Sequence, residues 1–185
     1  MSLRVFGGIG MYSLVCQTLK GAAAALRRLA LAVSLAMAGT FVALADDLSD
    51  GLAAYQARDF ATALKHFRKA AEEEAADAQL HLGAMYFNGH GVTQDRDEAA
   101  RWFHKAALRG NLEAQHILGV IYWDGRGVTR DYVSSYMWFD IASQNGSKSA
   151  ADSVRRIAAN LSSPDISEAK RRAQACLASN YRNCD

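Results

Sequence analysis

YFNGHGVTQD, residues 86–95, returns 36 residues later as YWDGRGVTRD, residues 122–131. Both glycines, the valine, the threonine and the closing aspartate recur in register. A glycine-rich stretch invites a phosphate cradle, but a dinucleotide loop needs a third glycine after a strand, and a P-loop needs Gly-Lys-Ser or Gly-Lys-Thr. Neither is present. The other reading is a turn that a repeating architecture needs twice. A helix running past Tyr86 has to stop, and Gly89 supplies the left-handed residue that commonly ends one, without a Cβ penalty. Gly91 then gives a second bend, and Val92 is placed to plug the gap between helices.

The recurrence extends over residues 78–113 and 114–149, which align without a gap. Ala78 meets Ala114, Leu82 meets Leu118, Gly83 meets Gly119, Trp102 meets Trp138, Phe103 meets Phe139 and Gly110 meets Gly146. A period of this length signals stacked supersecondary units. The same offset runs backward, with Asp59, Ala63, Phe67 and Ala70 under Asp95, Ala99, Phe103 and Ala106. That first unit joins Tyr55 to Asp59 in four steps where later units take nine, so it lacks the glycine loop.

Each unit reads as two helices. In the second unit Ala78, Leu82, Met85 and Tyr86 share one helical face, while Leu80 and Phe87 form another nearly opposite, which gives this helix neighbours on two sides. Asp95 is the N-cap of the following helix, with Glu98 completing a capping-box pattern. Ala99, Trp102, Phe103, Ala106 and Ala107 are its expected buried face.

The pattern A-x-x-x-L-G-x-x-Y-x-x-G-x-G-V-x-x-D-x-x-x-A-x-x-W-F-x-x-A-A-x-x-G, held by Ala78 to Gly110, resembles the Sel1-like repeat, a relative of the tetratricopeptide repeat. In the copy from Ala114 to Gly146, Ser135 and Ser143 replace alanines; the first unit is closer to the tetratricopeptide form, with Arg58 at that form's usual glycine. The resemblance covers about residues 51–175 and implies an all-α, right-handed α-solenoid of helix-turn-helix units that holds other proteins, with no shared catalytic residues and no cofactor. The expected units are residues 47–77, 78–113, 114–149 and a partial 150–162, followed by a capping helix and tail over 163–185. That helix begins at Ser163-Pro164, turns Ile166, Ala169, Ala173 and Leu177 onto the open end of the stack, and carries Lys170, Arg171 and Arg172 outward. A capped stack points to a monomer.

The two ends bound the setting. Residues 1–45 hold four basic side chains and no acidic one. Lys20, Arg27 and Arg28 precede an apolar run from Leu29 to Leu44, and Ala43-Leu44-Ala45 presents small residues to a signal peptidase, so cleavage before Asp46 is expected. Cleavage would leave no stable membrane anchor and a periplasmic or secreted protein; the alternative is a retained N-terminal anchor, whose span Gly39 and Thr40 weaken. The remaining 140 residues carry 17 basic and 19 acidic side chains, a net charge of −2, which gives no reason to expect nucleic acid as a partner. Cys176 and Cys184 fall at the far end, close enough in sequence to form a disulfide in an oxidising compartment if the chain folds back near Asn180; otherwise they are two unpaired thiols on a tail.

Catalytic patterns are missing from this sequence. His66, His81, His90, His104 and His116 include no pair four apart on one helix and no H-E-x-x-H, so no metal site is expected, and His66 shares the column of Trp102 and Trp138. No G-x-S-x-G occurs, and Glu72 to Glu74 read as a solvated helix end. What remains is surface for binding a protein or peptide along the stripe shared by the first helices: His81 and Asn88; Ile117, Val120 and Asp124; Ser153, Arg156 and Asn160. Ile117 and Val120 either present an apolar patch there or pack against the following repeat. The alternatives are a glycan-binding module using Trp123, Tyr136 and Trp138 as stacking groups, or an enzyme such as a hydrolase.

Overall fold

A computed structural model describes residues 47–184 of the 185-residue chain. The expected export segment before Asp46 lies outside the described residues, which contain no helix long and apolar enough to cross a membrane. They form eight helices and no strand. Residues 47–56 make α1, followed by α2 (Phe60–Glu72), α3 (Ala76–Asn88), α4 (Arg96–Leu108), α5 (Leu112–Asp124), α6 (Tyr132–Gln144), α7 (Lys148–Ala158) and α8 (Ser163–Ala178). Consecutive helices from α2 to α7 pack on one another, and α8 returns to pack on α6.

Short polar side chains set the helix starts. Asp59, Asp95, Asn111, Asp131, Ser147 and Ser162 each accept a hydrogen bond from a backbone N–H of the first turn, which satisfies a donor the helix itself leaves free. Only half of the expected capping box forms at Asp95. Glu98 turns to Arg101, whose Nε and Nη2 donate at 2.8 and 2.5 Å, and the N–H of Asp95 that it would have accepted is donated to the carbonyl of Tyr86 at 3.0 Å.

The glycine loops behave alike in both units. Gly89 and Gly125 end α3 and α5 in the left-handed conformation and donate to the carbonyls of Met85 and Ile121. Gly91 and Gly127 also have positive φ, and each faces the start of the second helix one unit earlier: a Cβ on Gly91 would lie 2.8 Å from the carbonyl oxygen of Phe60, and one on Gly127 would meet that of Arg96. The second glycine therefore docks one unit on the next as well as bending the chain.

Two buried clusters run through the stack. One centres on Ala63, Phe67, Ala78, Leu82 and Met85, the other on Phe103, Leu118, Ile121, Trp138, Phe139 and Ile141 and reaches Ala169 and Ala173 of α8. Gln79 and Gln115 are buried between units, where their Nε2 atoms donate to the carbonyls of Ala71 and Ala107 at 3.1 and 3.2 Å. Trp138 is fully buried, but its counterpart Trp102 is only partly so, with the Lys105 ammonium 3.9 Å from its ring centre.

On α8, Ala169 and Ala173 are buried and Ile166 and Leu177 partly so. Lys170 and Arg171 face outward, whereas Arg172 turns in and donates from Nη1 to Ser134 Oγ at 3.3 Å, beside the Asp131 cap of α6. Beyond α8 the chain reverses at Asn180 and Tyr181, both with positive φ, and Cys184 returns to Cys176 with Cα atoms 4.4 Å apart, joined as a disulfide.

Candidate functional site: a groove between the last two first-helices

The first helices of the later units, α5 and α7, are both held by α6 and leave a groove of about 410 Å³ between them. Val120 and Trp123 line it from α5, Phe139 and Ile157 form its apolar floor, and Ser149, Ser153, Arg156 and Asn160 line it from the α7 side, with His116 at one wall. Gly119 brings the floor close, since a Cβ there would stand 2.5 Å from the Phe139 ring. Val120 is 39 % exposed, among the most exposed large apolar side chains described.

The repeat changes its side chains at the groove. One period earlier, Ser153 corresponds to Ile117, Arg156 to Val120, His116 to Leu80 and Asn160 to Asp124. Between α3 and α5, Leu80 is buried and Ile117 packs against the same core cluster. On α7 the branched side chain is replaced by the hydroxymethyl group of Ser153, 6 % exposed, which lines the groove.

Polar groups in the groove are organised. Ser153 Oγ donates to the carbonyl of Ser149 at 3.0 Å and accepts from Arg156 Nη2 at 3.2 Å. Among the described residues no carboxylate stands within ion-pair distance of Arg156. His116 packs its ring 5.2 Å from that of Phe139; burial, then the Arg156 charge, lowers its pKa against the opposing pull of Glu113, so it is neutral at pH 7.

The expected binding residues divide. Val120, Ser153, Arg156 and Asn160 meet in this groove. Ile117 does not line this groove; it is partly buried and packs against the core cluster, the second of the two placements considered for it. His81 stacks on Phe67 with ring centres 5.0 Å apart, Asn88 donates to the carbonyl of Ala84, and Asp124 pairs with Arg126 at 3.0 Å; none of the three lines the groove. His116, Trp123, Phe139, Ser149 and Ile157 were not expected there, though the exchange of Ile117 for Ser153 at one period was a readable signal. Of the rings considered for stacking a glycan, Tyr136 and Trp138 are 3 % and 1 % exposed, which removes them; Trp123 remains, 4.7 Å from Tyr132 between ring centres.

The histidines are spread along the stack on separate partners. His66 meets Asp47 at 3.0 Å, His90 stacks on Phe60 at 4.5 Å between ring centres, and His104 lies edge-on to Trp138. Among the described residues no three His, Cys, Asp or Glu side chains come together as a metal site.

Three consecutive stretches, residues 43–74, 76–111 and 112–147, match the model of the Sel1 repeat. The chain belongs to the Sel1 repeat family. Sel1 repeat proteins are generally protein-interaction scaffolds and typically not enzymes. Its fold is similar to that of c5321, a protective antigen present in uropathogenic Escherichia coli strains displaying an SLR fold, with a TM-score of 0.70 and 30 % identity over 75 % of this chain and 31 % of that one. It is also similar to a Sel1 repeat protein from Oxalobacter formigenes, with a TM-score of 0.54 and 26 % identity over 58 % of this chain and 47 % of that one. The chain thus spans about a third of the first and under half of the second. No curated protein matches it.

Proposed function

We propose that this Sel1 repeat protein is a non-enzymatic adaptor of the bacterial cell envelope, acting as a monomer, that holds a protein or peptide partner in the groove between α5 and α7. The observation that carries the reading is a groove with an apolar floor of Phe139 and Ile157, bordered by exposed Val120 and by Trp123 on one side and by Ser153 and Arg156 on the other. A side chain entering it would leave water for Phe139, Ile157 and Trp123, and burial of one large apolar side chain contributes roughly 1.5–3 kcal/mol. Support for an envelope setting comes from the basic and apolar pattern of residues 1–45 and from the Cys176–Cys184 pairing, since disulfides persist in oxidising compartments. Coverage of α6 by α8 supports the monomer.

The test is capture from an envelope extract by the immobilised protein and by its Val120→Lys variant, with helical circular dichroism and melting compared. Val120 is the right position because Ile117 packs against the core cluster, so its loss would confuse unfolding with lost binding. A partner held by the parent and released by a folded Val120→Lys variant supports the groove. Equal capture by both overturns it.

A further inference from the structure

We infer that the groove between α5 and α7 is built for a peptide segment that places a carboxylate beside a large apolar or aromatic side chain, with Arg156 receiving the carboxylate. The inference rests on the groove reading above and adds the chemistry of the occupant. The exchanges at one period carry it. The positions held by Ile117 and Val120 on α5 carry Ser153 and Arg156 one period later on α7, so a hydroxyl and a cation stand in the groove where the preceding repeat has two apolar side chains. Asp124, the acidic counterpart of Asn160, is replaced by a neutral amide, which removes a charge that would have opposed an anion.

The cation is also held ready. Arg156 Nη2 donates to Ser153 Oγ at 3.2 Å, and that hydroxyl is fixed by its own bond to the Ser149 carbonyl. Five surface arginines have carboxylate partners, Arg101 with Glu98, Arg109 with Glu74, Arg126 with Asp124, Arg155 with Asp152 and Arg171 with Glu168, while others such as Arg68, Arg130 and Arg172 bond to hydroxyl or carbonyl oxygens. Arg156 has no carboxylate partner among the described residues, and a guanidinium has several donors in a planar fork that suits a carboxylate. Next to it, Val120, Trp123 and Phe139 offer the apolar surface on which a neighbouring side chain would sit.

The probe is a fluorescein-labelled decapeptide with one Phe flanked by two Glu on a Gly-Ser background, together with matched peptides carrying Lys or Gln for Glu, or Ser for Phe. Binding is read by fluorescence anisotropy with the whole chain, purified in the form the expression host leaves it. The Glu peptide is expected to bind at least tenfold more tightly than the Lys and Ser peptides. Arg156→Glu is expected to reverse the Glu-over-Lys preference, and Ser153→Ile, which restores the side chain of the preceding repeat, to abolish binding with melting unchanged or raised. Equal binding of the Glu, Gln and Lys peptides, lost in Ser153→Ile, overturns the anionic occupant and leaves the groove reading standing. Binding unaffected by Ser153→Ile overturns the groove reading itself, and failure of every peptide to bind overturns both.

Discussion

Gly91 and Gly127 show how a single residue carries the repeat. Each has a positive φ, and each presents its α-carbon to a backbone carbonyl of the unit before, so a methyl group there meets both a strained conformation and a collision. Gly127→Ala is expected to cost about 2 kcal/mol or more by urea denaturation, against less than about 1 kcal/mol for a surface change such as Thr129→Ala. The sequence made the bend legible; the close approach to Arg96 was not, because a carbonyl belonging to another unit leaves no mark within the loop. Arg58 is the opposite case. It occupies a left-handed position, φ 62°, where the tetratricopeptide form uses glycine, and Arg58→Gly is expected to raise stability by about 1 kcal/mol. Asp131 links local chemistry to pH. Burial pushes its carboxyl up, but hydrogen bonds from the Ser134 hydroxyl and the Ser134 and Val133 N–H groups, with the Arg172 charge, hold it below the usual carboxylate range. A depressed folded pKa stabilises above the unfolded value, about 4, and that contribution is lost as pH falls through the folded one. Asp131→Asn should therefore destabilise at pH 7 and match the parent near pH 2; a pH-independent difference would assign the effect to cap geometry alone.

Among the elements, the tail and its helix were partly legible. Proline in the first turn and the spacing of Ile166, Ala169, Ala173 and Leu177 located α8 and its buried side. Arg172 read as outward because charge and period say nothing of a hydroxyl waiting on α6; Ser134 Oγ draws it in. The disulfide closes a short loop that also places Tyr181, whose hydroxyl accepts from Asn145 Nδ2 at 2.9 Å, so the tail is tied to the end of α6 as well as to α8. Loss of the crosslink by Cys176→Ser with Cys184→Ser is expected to cost about 2.5 kcal/mol through the freedom returned to the unfolded chain. Thermal melting with and without a reductant checks it: the parent should fall to the midpoint of the double variant when reduced, and an unchanged midpoint would mean the crosslink contributes nothing.

For the molecule as a whole, the helix order and the period were readable because a repeat states its core twice, at Phe103 and Phe139 and at Leu82 and Leu118. The groove was readable only in part. A stripe drawn along one helix face collects His81, Asn88 and Asp124, which find partners of their own, and omits Phe139, which reaches the groove from a second helix past Gly119. A site made where three helices meet is not written in the periodicity of any one of them. The measurement that decides whether this is where a partner binds is site-specific photo-crosslinking in cells expressing the protein, with benzoylphenylalanine at Val120 in the groove or at exposed Ala178 on α8. A discrete adduct from position 120 and none from 178 is the expected result; adducts of the same partner from 178 but not from 120 would place binding on another face.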